Sequence, residues 1–251
     1  MSFFKKLLFY LSVPKCVCCG ERLEITDKAL CRICTKDYFD HKTRSCSQCS
    51  KLLSECTCTN DYLKNHYTKR LVKLFRYIIR DDTERSFPSN MLIYSLKRDN
   101  RADVLDFLSD ELSNAINKTI SPKKLEFLIT SVPRRPKAVR RYGIDHAQLL
   151  AKSVAKKLDV PYVALLKSTA KAAQKKLREK ERISNATFDY RKTDVDPRDK
   201  HVIIIDDVVT TGASMGSCAM LIHALGAKEI IGAALSIAYK DKSVEFKVDG
   251  R

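Results

Sequence analysis

The sequence predicts an α/β fold, a parallel β-sheet flanked by helices, with a small N-terminal four-cysteine zinc-binding module. Three observations predict it. Nine of the ten cysteines crowd between Cys16 and Cys58. After residue 60, short apolar runs alternate with stretches whose apolar residues recur every three or four positions, as expected for strands alternating with helices around a parallel sheet. One such run, Val202–Ile205, leads directly into two acids and a Thr-Thr-Gly turn. The expected division is therefore residues 1–60 as the cysteine-rich module and residues 61–251 as the α/β domain.

The cysteines come first in the chain. They are spaced Cys16-x2-Cys19, Cys31-x2-Cys34, Cys46-x2-Cys49 and Cys56-x-Cys58. Two thiolates two residues apart can grip one metal ion from a tight turn, and two such knuckles supply the tetrahedral four-thiolate set that Zn2+ favours. Sequential pairing is the simplest arrangement: Cys16, Cys19, Cys31 and Cys34 in one site, and Cys46, Cys49, Cys56 and Cys58 in a second. An interleaved pairing and an iron–sulfur site stay open as alternatives. Cys18 is left over, as a bystander or an alternative ligand. Four thiolates leave no open coordination position, so the expected zinc is structural. A disulfide framework would need an oxidising compartment. No apolar run is long enough to span a bilayer. The opening MSFFKKLLFYLSVP lacks a signal-peptide cleavage pattern and reads as an amphipathic segment. A cytoplasmic protein is the expectation.

Beyond the cysteines, residues 63–80 are basic and partly periodic, and are expected to form a connecting helix or strand. Phe87–Leu96 and Ala102–Ile116 carry helical periodicity, and Ser121-Pro122 breaks the second. Phe127–Val132 reads as a buried strand ended by Pro133. PRRPKAVRRYG follows as a basic loop, then a helix over Asp145–Leu158. The charged stretch 167–192 is expected to be a loop with a short helix. Val202–Ile205 is a strand, Ser214–Leu225 a helix stopped at Gly226, and Glu229–Ile237 a last strand.

The segment HVIIIDDVVTTGAS, His201–Ser214, carries the most chemistry. A strand delivers Asp206 and Asp207 to the carboxyl edge of the sheet, where ligands of open α/β folds bind. Paired carboxylates can accept hydrogen bonds from vicinal hydroxyls or approach a metal-bound ribose. The backbone of Val208, Val209, Thr210, Thr211, Gly212, Ala213 and Ser214 can then turn its amides towards an anion, with Gly212 permitting close approach. The pattern is neither a G-x4-G-K-[ST] loop nor a G-x-G-x-x-G turn. It points to a phosphorylated ribose. The formal charge of +17, from 47 Lys+Arg against 30 Asp+Glu, also points to an anionic partner.

HVIIIDDVVTTGAS resembles the phosphoribosyl pyrophosphate (PRPP) motif of type I phosphoribosyltransferases. SVPRRPKAVRRYGIDHAQLLAKSVAKKL, QKKLREKERISNATF and SLKRDNRADVLDFL resemble segments of the ComF family of competence proteins. With the cysteine knuckles, the resemblance covers nearly the whole chain. It departs at Tyr142-Gly143, where Arg-Gly is common, and at Ile144-Asp145-His146, where Phe-Asn-Gln is common. The resemblance implies a type I phosphoribosyltransferase-like sheet joined to a zinc module, PRPP with Mg2+ at Asp206–Ser214, and pyrophosphate contacts from Lys97, Arg134, Arg135 and Arg141. It implies participation in natural competence and handling of incoming single-stranded DNA, alongside competence-machinery proteins such as a DNA-uptake helicase. A location at the inner face of the membrane would suit that role. The alternative is an active phosphoribosyltransferase with an unidentified nitrogenous acceptor. No distinct catalytic acid or base stands out. His146 reads as a helix residue and Cys218 as a small buried apolar one.

Overall fold

The computed structural model describes residues 14–76, 87–120, 127–169 and 188–238. The N-terminal amphipathic segment, Ser121-Pro122 and nearly all of QKKLREKERISNATF lie outside the described residues.

Four strands form one parallel sheet: β1 (Thr68–Arg76), β2 (Phe127–Ser131), β5 (His201–Val209) and β6 (Glu229–Ile237). Their spatial order is β1-β6-β5-β2. All three pairings are parallel, with Val202 opposite Ile230 and Leu128. Central strand β5 is apolar on both faces because both faces are covered. Its alternate side chains go opposite ways. Ile203 and Ile205 join one apolar cluster, and Val202 and Ile204 join the other.

The first cluster lies beneath α3 (Pro88–Arg98), α4 (Ala102–Ile120) and α6 (His146–Leu158). Leu92, Leu96, Leu108, Leu112, Leu150 and Val154 are among its fully buried members from these helices. The second lies beneath α2 (Asp61–Asn65) and α7 (Ala213–Ala224), through Leu63, Met215, Cys218 and Ile222. The described part of stretch 63–80 thus divides: Leu63–Asn65 ends α2 and β1 follows, while 77–80 lie outside the described residues. The basic stretch expected as a loop contains a helix, α5 (Pro136–Tyr142), because Pro136 enters at its first turn, where a missing N–H costs nothing. The helix after β5 begins at Ala213, one residue earlier than expected. The ends of the charged stretch pair as a two-stranded antiparallel ribbon, β3 (Leu166–Ser168) with β4 (Phe188–Tyr190). No helix among the described residues is long and apolar enough to cross a membrane.

The cysteine-rich segment contributes α1 (Arg32–Lys42) and packs into the first cluster through Leu23, Leu30 and Tyr38. Tyr38 is fully buried, edge-on to Phe75 and Phe107. Its hydroxyl donates to Glu111 at 3.3 Å, and Lys42 pairs with the same carboxylate.

Candidate functional site

Two features stand out, a pair of four-cysteine groups and the carboxyl edge of the sheet. Cys16, Cys19, Cys31 and Cys34 form one group, and Cys46, Cys49, Cys56 and Cys58 the other; within each, every sulfur lies within 4.8 Å of the others. The grouping is the sequential one. Cys19 and Cys31 sulfurs are 3.6 Å apart, and Cys49 and Cys56 sulfurs 3.5 Å. That is close to the roughly 3.8 Å edge of a tetrahedron with 2.3 Å zinc–sulfur bonds. Each group therefore has the donors and the size to hold one metal ion, as a structural zinc site requires.

The backbone favours the thiolate at one cysteine of each set, while burial and neighbouring thiols push others up, Cys34 in the first set and Cys58 in the second. Burial opposes ionisation of Cys16, but the amides of Cys19, Cys31 and Cys18 outweigh it and bring the thiol to about 7. Cys46 reaches about 7 in the same way, against burial, through the amides of Gln48 and Cys49. The second group has an additional partner that sequence reasoning missed. Lys73 projects from β1, 1% exposed. Its ammonium donates to Cys58 O at 2.6 Å, Cys56 Sγ at 3.2 Å, and the carbonyls of Cys56 and Leu71 at 3.3 Å. A buried ammonium needs a counter-charge, and thiolates supply one. The available signal was one lysine inside the apolar run Leu71–Phe75.

At the sheet edge, the neighbouring acids leave opposite faces of β5. Asp206 lies on the α7 side, where burial first, and then the Asp206 charge, push the Cys218 thiol up. Burial and the adjacent Asp207 raise the Asp206 carboxyl to about 8. Asp207, 5% exposed, faces α3 and α6. It accepts from Arg134, and Lys97 approaches the same oxygen at 3.3 Å. Lys97 and Arg134, far apart in sequence, are thus brought together. Arg135 and Arg141 are exposed near the two ends of α5.

Asp145, where the chain departs from the resemblance, has a visible job. Its Oδ1 caps α6 by accepting from Gln148 N at 3.1 Å, and its Oδ2 accepts from Arg134 N at 3.0 Å. One side chain therefore starts the helix and fixes the backbone that aims Arg134. His146 is buried, with Nδ1 unpartnered. Burial and then the Arg134 charge lower its pKa, so it is neutral at neutral pH.

The turn after β5 exposes Thr210, Thr211 and Ser214 and buries Val209, Gly212 and Ala213, with Val208 half-buried. Gly212 is the α7 N-cap at φ 84°, and a Cβ there would meet Leu63 Cγ at 2.7 Å. The N-cap Gly212 has no side chain to cap α7, and Thr211 Oγ1 accepts only from Ala213 N at 3.3 Å, so the first-turn amides at Ser214 and Met215 lack intrahelical partners. Asn60, two residues past Cys58, caps α2 through Leu63 N at 2.9 Å and donates to Thr211 O at 3.2 Å. A small pocket lined by Cys58, Thr59, Asn60, Val209 and Thr210 separates the second cysteine group from this turn.

The family described as Phosphoribosyl transferase domain matches residues 145–249. The chain is 39% identical over 67 residues, 27% of its length, to a ribose-phosphate pyrophosphokinase of Pyrococcus abyssi, and spans only 24% of that relative. Longer matches follow. It is 26% identical over 227 residues to DNA utilization protein YhgH of Escherichia coli O157:H7, covering 88% of this chain and 96% of that one. It is 25% identical over 233 residues to Competence protein F of Haemophilus influenzae, covering 86% and 93%.

Proposed function

Because the chain belongs to the ComF family of phosphoribosyltransferase-like proteins, we propose that it handles single-stranded DNA during uptake and binds PRPP, with Mg2+, or a related phosphoribosyl ligand. In this reading residues 1–60 are the zinc-bearing module and residues 61–251 the ligand-binding domain. The protein works in the cytoplasm, beside competence-machinery proteins such as a DNA-uptake helicase.

The convergence of Lys97 and Arg134 on Asp207, beside the turn Val208–Ser214, carries the phosphoribosyl reading. Without ligand, the two cations neutralise a buried carboxylate. A pyrophosphate group offers them stronger partners, since guanidinium and phosphate match in pairs. Asp207 is then released towards ribose hydroxyls or a ligand-bound Mg2+. Thr210, Thr211, Ser214 and the open amides of α7 take the terminal phosphate. Arg135 and Arg141 extend the cationic surface. The DNA reading rests on the relatives' names and on the formal charge of +17. Binding carried by phosphate contacts weakens steeply with salt.

Calorimetry of the zinc-loaded protein against Mg2+–PRPP tests the site. Asp206→Asn with Asp207→Asn should weaken binding about tenfold or more, as loss of charged hydrogen bonds does, with zinc content unchanged. Unaltered affinity sinks the assignment. Pyrophosphate release from PRPP with candidate acceptors distinguishes turnover from binding alone.

A further inference from the structure

The outer face of α7 carries an aromatic arrangement that the phosphoribosyl reading does not use. Tyr62 stacks on His66, with ring centroids 4.0 Å apart and planes 21° apart. Tyr67 stacks on His223, at 3.8 Å and 15°. The first pair lies over Gly216, where a Cβ would meet Tyr62 Cε1 at 2.8 Å and His66 Cβ at 3.1 Å. A glycine inside a helix is unfavourable, and here it makes room for a ring. Gly216 and His223 are seven residues apart on α7, about 10 Å along the axis. Met220, 47% exposed, lies between them in the chain.

Tyr67 is the most informative member. It follows the α2 C-cap at φ 63°, the left-handed position that glycine or asparagine ordinarily fills. A bulky aromatic is costly in that conformation, and burial does not offset the cost, because Tyr67 is 47% exposed. Such outliers cluster at functional positions. Lys64 lies between Tyr62 and His66 in the chain, Lys69 follows Tyr67 by two residues, and both lysines are exposed. Lys64 is engaged only loosely, by Asp61 at 3.4 Å, and both are exposed. Glu229 is occupied by Arg70 and His201. Tyr67 and His223 are exposed and Tyr62 and His66 half-buried, and rings beside cations fit the bases of a single strand, because every base has a π-face to stack.

We propose that Tyr62, His66, Tyr67 and His223 form a stacking platform for the bases of single-stranded DNA on the outer face of α7. The proposal rests on the single-stranded DNA reading above and gives it a location. The platform is tied to the turn after β5, because α2 is pinned there by Asn60 and Leu63.

The test is fluorescence anisotropy of the zinc-loaded full chain with an oligothymidine and with an abasic strand of equal length and charge. The wild type should prefer the strand that carries bases. Tyr67→Gly should lose that preference, weakening oligothymidine binding about fivefold or more. Its melting temperature should match or exceed the wild type's, since glycine suits the backbone there, and its zinc content should not change. Tyr67→Phe should retain the preference. His223→Ala should lose it, and serves as the second arm if Tyr67→Gly does not fold. Equal wild-type binding to both strands overturns the platform but leaves the DNA reading standing, and so does a preference that survives both Tyr67→Gly and His223→Ala. Binding of neither strand at low salt overturns both.

Discussion

Replacing Asp206 with asparagine should stabilise the protein, and more so as pH rises. The folded carboxyl stands at about 8 against an ordinary 3.8, raised first by burial and then by Asp207. Between those values the folded chain holds a proton that the unfolded chain has released. Stability therefore falls as pH rises from about 4 to about 8, and the full penalty is present above 8. The shift from 3.8 to about 8, at 1.36 kcal/mol per pH unit, sets a ceiling of about 6 kcal/mol. The residue as a whole is only half-buried, and relaxation around an ionised carboxylate reduces that penalty, so ~2–3 kcal/mol is the working value. Asparagine keeps an oxygen to accept the Asp207 amide, now 2.8 Å from Asp206 Oδ1, and removes the titration. Urea unfolding of zinc-loaded wild type and Asp206→Asn at several pH values from about 5 to about 8 measures the difference. The advantage of the variant should grow across that window. A constant difference, or one that shrinks towards pH 8, would refute the claim that burial holds a proton on Asp206.

Lys73→Met should lower metal affinity at the second cysteine group about 10- to 100-fold, as loss of a hydrogen bond to a ligating sulfur does, and leave the first group loaded. Metal analysis after graded chelation should show two ions per wild-type chain and early loss of one in the variant; simultaneous loss of both would contradict the local role of Lys73. Gly212→Ala should cost about 1–2 kcal/mol from its left-handed backbone alone, and more from the Leu63 contact at 2.7 Å. Unfolding and PRPP calorimetry on that variant should both register the change, and a stable variant with normal affinity would show that the turn tolerates a side chain.

Much of this architecture was legible because it depends on local patterns. The isoleucines and valines of β5 read as a doubly covered strand, and the cysteine spacing read as knuckles for which sequential pairing, the one the structure has, was the simplest arrangement. The α5 helix was not legible, because the charges of PRRPKAVRRYG hide a periodicity that Pro136 then starts. Lys97 and Arg134 each read as one cation among many. Their meeting at Asp207 is a tertiary fact, produced by packing α3 and the β2 edge against one end of β5. Asp145 looked like a departure from a familiar motif, and only in the folded chain does it bond to both Arg134 N and Gln148 N.

The two cysteine groups look alike in sequence but occupy different structural positions. The first belongs to the helical face of the sheet: Tyr38, four residues past Cys34, is buried against Phe107 and bonded to Glu111 of α4. The second belongs to the carboxyl edge. Lys73 holds Cys56 and Cys58 against β1, Asn60 follows at once, and its side chain reaches the carbonyl of Thr211. Only Thr59 separates Cys58 from Asn60, so displacing Cys58 must displace Asn60, and with it Leu63 beneath Gly212. Losing metal from the first group should therefore loosen the packing around α4 while sparing the turn. Losing it from the second should disturb the turn itself. Hydrogen exchange of the Val208–Ser214 amides in Cys34→Ser and Cys58→Ser variants separates the two, and equal protection in both would deny the second group its position as the wall of the turn.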